Sequence, residues 1–287
     1  MIDRLAVIGV GLIGGSLARA LRAAGQVGEV IGCGRSTANL ETAQRLGVVD
    51  RLSHDPAEAV RDADMVFIAV PLGAMRGIFA AIKGSLAGKA VITDGGSVKA
   101  SVVADAAAAF GQVPTRFVPG HPIAGTERTG VEASFPELYR NRRVILTPLT
   151  ETDPEAVQGV TAMWEVCGAE VSCMDVHHHD EVLAATSHLP HMLAFGLVDA
   201  LARLRENDEI FRYAAGGFRD FTRIASSDAV MWRDICIANR EALGSVLAGF
   251  STEMADLADS IRRGDGDHLL EIFRRAKAAR DRYVDGV

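Results

Sequence analysis

Chemistry is concentrated in a few short stretches of this 287-residue chain. The first is Gly9-Val10-Gly11-Leu12-Ile13-Gly14, a G-x-G-x-x-G string after an apolar run and before an amphipathic helical pattern. In that setting each glycine has its own task. Gly9 permits the tight turn, Gly11 lets backbone approach a pyrophosphate, and Gly14 lets helix and strand pack closely. The helix start, Leu12 and Ile13 included, offers N–H groups and a positive dipole end to phosphate. About 20 positions on, NAD-binding loops carry an acidic residue for the ribose 2′-hydroxyl. This chain has Gly34-Arg35-Ser36-Thr37 there instead. Arg35 can pair with a 2′-phosphate, and the Ser36 and Thr37 hydroxyls can donate to it. The expected cofactor is therefore NADP, with NAD as the alternative. A second role, Arg35 solvated and Ser36 or Thr37 capping the next helix, is compatible with the first.

Four further segments are dense in polar chemistry. They are Asp94-Gly95-Gly96-Ser97-Val98-Lys99, His121-Pro122-Ile123-Ala124-Gly125-Thr126-Glu127, Ser187-His188-Leu189-Pro190-His191, and Gly216 to Ala225 leading to Met231-Trp232. His188 and His191 stand three apart and share a face on a helix. Pro190 marks a helix start or kink. A metal site is the competing reading of the pair, but no third ligand is placed by a motif, so no metal is expected. The His177-His178-His179 tract makes a poor single site, because adjacent helical residues point in different directions.

Elements must position these groups. Up to about residue 170, apolar runs at Leu5–Gly9, Val30–Gly32, Met65–Val70, Ala90–Thr93, Arg116–Val118 and Val144–Thr147 alternate with helical patterns. That alternation predicts a mostly parallel sheet with helices on both faces. Beyond about residue 175 strand-like runs vanish. Helical patterns run Asp180–Leu204, Asp228–Arg262 and Asp267–Arg282, with Gly264-Asp265-Gly266 as a break. The expectation is α/β: a Rossmann-type dinucleotide-binding domain over 1–174, then an all-α domain over 175–287. Helices this long in so short a segment suggest packing against a second copy.

Taken together and in order, these motifs resemble the prephenate/arogenate (cyclohexadienyl) dehydrogenase family along essentially the whole chain. The resemblance implies a nucleotide-binding domain followed by a helical dimerisation domain, hence a homodimer. It implies oxidative decarboxylation of prephenate or arogenate in tyrosine biosynthesis, with hydride transfer to the nicotinamide. His121 matches the catalytic histidine, which accepts the hydroxyl proton. Ser97 matches a serine that bonds that histidine and the cofactor, with a helix N-cap before Lys99 as its structural alternative. Arg223 matches the arginine that binds a substrate carboxylate, with an ion pair to Asp220 or Asp228 as its structural alternative. His188 and His191 are placed near the substrate, and Trp232 is a pocket wall or a core residue. Asp180 is expected to pair with a cation at the mouth of the site, joined by Glu127 or Arg128. Lys99 has a weaker case. Gly34 replaces the usual NAD-selecting aspartate.

Composition narrows the rest. A net charge of −7 provides no general basic field for nucleic acid or anionic lipid, so the expected partner is a small molecule. With 48% hydrophobic and 23% charged residues the chain is a folded globular protein. No uncharged apolar run reaches the ~18 residues of a membrane helix, and four cysteines without a C-x-x-C pair fit a reducing, cytoplasmic setting. Two rivals share the architecture: a 3-hydroxyacid dehydrogenase or imine reductase, and a non-catalytic dinucleotide sensor. The SHLPH and GGFRDFTRIA segments argue against the first. Joint retention of His121, Ser97 and Arg223 argues against the second.

Overall fold

The computed structural model describes residues 1–126, 128–205 and 207–283, the side chains of Asn207 and Tyr283 excepted. Two compact units emerge, Met1–Arg240 and Glu241–Val287.

The first unit begins β1 (Ile2–Ile8), α1 (Leu12–Ala23), β2 (Val27–Cys33), α2 (Thr37–Arg45), β3 (Arg51–Ser53), α3 (Pro56–Ala59) and β4 (Met65–Ile68). It continues α4 (Met75–Ile82), β5 (Val91–Asp94), α5 (Lys99–Phe110) and β6 (Phe117–Val118). Among the described residues these six strands form one parallel sheet in the order β3-β2-β1-β4-β5-β6. Its core lies on both faces. Leu5 and Val7 of β1 pack with Leu17, Leu21 and Trp164 on one side. Ala6 and Ile8, their neighbours along the strand, pack with Phe79, Ile82 and Phe117 on the other. Successive side chains of a strand face opposite ways, so burial on both sides demands an unbroken apolar run. Strand order reverses at β1, between β2 and β4, the position where doubly wound sheets open a crevice for ligand.

Some expectations need correction. Val144–Thr147 does not join the parallel sheet. After β7 (Gly120–Pro122) comes β8 (Arg143–Leu146), then α6 (Pro154–Val166) and β9 (Glu170–Cys173). These strands form a second sheet, with β8 antiparallel to β7 and parallel to β9. β9 is largely exposed and carries no apolar signal. β3 is a three-residue edge strand, too short for periodicity. β2 starts three residues early, at Val27, where it pairs with Ile2 of β1, and Arg4 holds the charged Glu29 at 2.7 Å.

The helical part of this unit runs α7 (Val176–Leu183), a π-turn at Ala184–His188, α8 (Leu189–Ala202), α9 (Asn207–Arg212), α10 (Gly216–Thr222), a 3₁₀ turn at Arg223–Ser226, and α11 (Ala229–Ala238). α7 begins before Asp180, because the Asp175 carboxylate caps it by accepting from the His177 and His178 N–H groups. The π-turn widens the helix just before Pro190, whose nitrogen has no hydrogen to give the preceding turn. The expected helix Asp228–Arg262 is broken at Asn239, whose side chain donates inward to the Asp180 carbonyl at 2.8 Å rather than facing solvent.

The second unit holds α12 (Arg240–Arg263) from Glu241 onward, and α13 (Gly266–Tyr283). Gly264 at φ +66° ends α12, and Asp265 N–H donates to the Ser260 carbonyl across the turn. Leu247, Met254 and Ile261, spaced by seven, lie exposed along one stripe of α12. Among the described residues no helix is long and apolar enough to cross a membrane.

Candidate active site

The glycine loop joins β1 to α1 at the crevice. Gly9 has φ +100°, and a Cβ there would come 2.2 Å from the Ala69 carbonyl oxygen. A Cβ on Gly14 would come 2.2 Å from the Gly9 oxygen. At Gly11 a Cβ would meet nothing within 4 Å, so the loop is open on the side where a pyrophosphate would approach. The first turn of α1, with Leu12 and Ile13, has no side-chain cap and no acidic residue. These features fit a dinucleotide phosphate. Two supports gave no signal in the sequence. Asn39 donates to the Val10 carbonyl at 2.7 Å and accepts from Val131 N–H at 3.1 Å. The buried Tyr139 hydroxyl donates to the Ile13 carbonyl at 2.6 Å.

Beyond β2, Arg35, Ser36 and Thr37 are exposed, and Arg35 forms no ion pair among the described residues. Ser36 caps α2, accepting from Asn39 N–H at 3.3 Å. Thr37 lies 3.2 Å from His54 Nε2, while His54 Nδ1 donates to the Gly34 carbonyl at 2.8 Å. His54 thereby joins this edge.

His121 stands on β7, not in a turn, and is 9% exposed. Its Nδ1 lies 3.0 Å from Nε2 of His179, whose Nδ1 is 2.8 Å from the Asp180 carboxylate. Asp180 also accepts from the backbone N–H groups of Lys99 at 2.7 Å and Ala100 at 2.9 Å. It caps α5, which has no cap of its own. Burial alone would raise the Asp180 pKa, but the bonds from His179, Lys99 and Ala100 hold it below the ordinary value. This corrects the expectation for Asp180. The residue is buried, 5% exposed, and grips a helix start rather than a cation at the mouth of the site. Glu127 lies outside the described residues, and Arg128 is exposed.

Lys99 is wholly buried. Its Nζ bridges the Asp94 carboxylate at 2.5 Å and the Gly120 carbonyl at 2.6 Å, beside His121. Burial lowers its pKa, with Asp94 opposing the shift. Burial of His121 itself, with the repulsion that His179, Lys99 and His188 would exert on an imidazolium there, drives the His121 pKa well below an ordinary histidine's. Ser97 is half-buried and makes no hydrogen bond among the described residues, to His121 or otherwise. Val98 holds the N-cap position of α5, which leaves the alternative capping role of Ser97 unfilled.

A cleft of about 410 Å³ opens over His121. Arg223, Arg142, His191 and Trp232 line it, with Ser187 and Ser227. His191 stacks on Trp232, ring centroids 3.7 Å apart. Trp232 serves as wall and as core at once, since it packs with Val98 and Ile235. The cleft's described lining holds two arginines and no carboxylate. Arg142 was not singled out from the sequence, because it precedes a strand in an ordinary basic pair. His188 corrects an expectation. It does not line the cleft but is buried beneath it, 1% exposed, with Nδ1 accepting from Asn239 at 3.1 Å. Burial pushes its pKa down to about 4. Among the described residues no three His, Cys, Asp or Glu side chains gather as metal ligands would.

The chain is similar to known proteins along most of its length. Residues 17–173 match the nucleotide-binding domain of prephenate dehydrogenase, and residues 175–275 match its dimerisation domain. A cyclohexadienyl dehydrogenase of Zymomonas mobilis is 39% identical over 96% of this chain and 94% of its own length. The fold is similar to the crystal structure of prephenate dehydrogenase from A. aeolicus in complex with hydroxyphenyl propionate and NAD+, with TM-score 0.91, 37% identity and 98% of each chain covered. It is also similar to Synechocystis arogenate dehydrogenase, with TM-score 0.81, 28% identity, and 98% of this chain and 100% of that one covered. The chain belongs to the prephenate dehydrogenase family of nicotinamide-dependent oxidoreductases.

Proposed function

We propose that the protein oxidatively decarboxylates prephenate or arogenate, with NADP as its preferred acceptor, in tyrosine biosynthesis. The observation that carries the reading is His121, buried and with its pKa held well below the ordinary value, opening onto a cleft lined by Arg142 and Arg223. A dinucleotide whose pyrophosphate is held at Gly9, Gly11 and Gly14 would supply the hydride acceptor through its nicotinamide. His121 takes the ring hydroxyl proton as hydride departs, and its depressed pKa keeps it unprotonated at neutral pH. Arg223 holds one substrate carboxylate through the guanidinium fork, and Arg142 supports the other end. The Trp232–His191 stack walls the ring and excludes water. The ring carboxylate then leaves as carbon dioxide and the ring becomes aromatic. In this reading Ser97 acts toward the cofactor, and His188 supports the cleft from beneath.

Cofactor preference rests on the end of β2. A Cβ at Gly34 would meet Leu40 at 3.6 Å, an ordinary contact, so sterics do not demand glycine. The missing carboxylate spares a 2′-phosphate its repulsion, and Arg35 stands beside it. The domains divide at 174/175. The protein is a cytoplasmic homodimer built on the helical half. The exposed Leu247, Met254 and Ile261 stripe supports the dimer, and the free cysteines support the compartment. Initial rates with prephenate and arogenate, each with NADP and NAD, test the reading. Turnover with either substrate supports it, and no turnover in any pairing, with cofactor bound, sinks it.

A further inference from the structure

Behind His121 stands a pair that the chemistry above does not use, His179 and Asp180. We propose that His179, held by Asp180, is a positioning residue that locks the His121 ring with Nδ1 protonated and Nε2 bare toward the cleft. The inference rests on the reading that His121 accepts the substrate proton.

The argument runs from a fixed acceptor outward. The Asp180 carboxylate takes backbone N–H bonds on both oxygens, from Lys99 at 2.7 Å and Ala100 at 2.9 Å. An ionised carboxylate can only accept, so the 2.8 Å contact to His179 requires the proton on His179 Nδ1. In the neutral form so protonated, His179 presents a bare Nε2 that can only accept. The 3.0 Å contact to His121 then places the proton on His121 Nδ1. Neutral His121 is left with a bare Nε2 and no described partner for it, on a ring that lines the cleft. The tautomer of a general base is thus dictated two residues away, by a side chain whose other task is to cap α5.

The titratable groups facing His121 are His179 from α7, with Asp180 behind it, Lys99 from α5, with Asp94 behind it on β5, and His188 from the π-turn. His179 is wholly buried, whereas its neighbours His177 and His178 are exposed, so only the third histidine of the tract is committed inward.

The test reads the tautomer directly. In protein labelled with 15N-histidine, the His121 ring, identified by the signals lost in His121→Asn, should show a protonated Nδ1 and a bare Nε2. His179→Leu should lose that preference and lower kcat roughly a hundredfold, with substrate KM and dinucleotide affinity within about threefold of the parent. His179→Gln offers an amide oxygen to His121 Nδ1–H and should recover most of the rate and the tautomer. Should the leucine variant fail to fold, the parent and glutamine spectra still decide. A parent ring protonated on Nε2, or an unchanged tautomer in His179→Leu, overturns the proposal. Equal losses of kcat in the leucine and glutamine variants also overturn it. Full turnover by His121→Asn would instead remove the proton-acceptor reading, and the spectra would stand apart from it.

Discussion

Replacing Lys99 by methionine separates the two tasks of that side chain. Its ammonium is wholly buried and bridges Asp94 at 2.5 Å and the Gly120 carbonyl at 2.6 Å. Methionine keeps much of the volume but leaves Asp94 a buried carboxylate without its cation. Removing one partner of a buried pair costs about 3–5 kcal/mol. Asp94 retains N–H bonds from Gly96 at 2.7 Å and Gly120 at 3.1 Å, which places the expected loss near the lower bound. Losing the donor to the Gly120 carbonyl adds about 1 kcal/mol. A domain with 5–15 kcal/mol of stability remains folded after such a loss. Urea denaturation of Lys99→Met, Asp94→Asn and the double variant should reveal coupling of about 2 kcal/mol or more. Lys99 also lowers the His121 pKa by its charge, so the acid limb of kcat/KM should move to higher pH in Lys99→Met. Stability losses that add within about 0.5 kcal/mol would show the pair to be uncoupled. An unmoved acid limb would show that His121 does not feel the ammonium.

At the cofactor edge, Gly34→Asp with Arg35→Ala should reverse the preference toward NAD, read as the ratio of dissociation constants for the two dinucleotides. An unchanged ratio would make Arg35 only a surface residue. Arg142→Ala should raise substrate KM roughly tenfold with kcat little changed, since one charge-assisted hydrogen bond to a carboxylate is lost. Unaltered KM would place the second anchor elsewhere. His188 makes stability depend on acid. Its pKa falls from 6.5 unfolded to about 4 folded, so its contribution is complete above pH 6.5 and is lost as pH falls toward 4. A depression of that size corresponds to about 3 kcal/mol. Denaturation midpoints of His188→Gln should fall less steeply than the parent's over that window, and parallel slopes would contradict the assignment.

The sheet was legible because burial on both faces leaves no choice of residue. Leu5, Ala6, Val7 and Ile8 can be apolar in unbroken succession only in a strand covered twice. The glycine loop was legible because Gly9 and Gly14 are imposed by oxygen atoms 2.2 Å from where a Cβ would stand. What escaped was set by neighbours distant in the chain. Asp180 is 81 residues from the N–H of Lys99 that it accepts, and Asn239 is 51 from the His188 ring it holds. Neither bond leaves a trace in local periodicity, and a charged or amide residue in a helical pattern reads as solvated by default.

The misreading of Asp180 has a physical cause that also explains His188. α5 begins at Lys99 without a side-chain cap of its own, so its free N–H groups require an acceptor from another element. The carboxylate that meets the need is drawn inside, and His179 and His121 follow it into the interior as a hydrogen-bonded row. A residue recruited to finish a helix then decides which nitrogen of the catalytic base faces the cleft. His188, at the end of the π-turn that follows α7, is held by the Asn239 side chain, which also bonds the Asp180 carbonyl. Capping, the π-turn and the break between α11 and α12 thus converge on one buried polar row. Its members are set by the packing of four elements, and each of those elements looks ordinary when read alone.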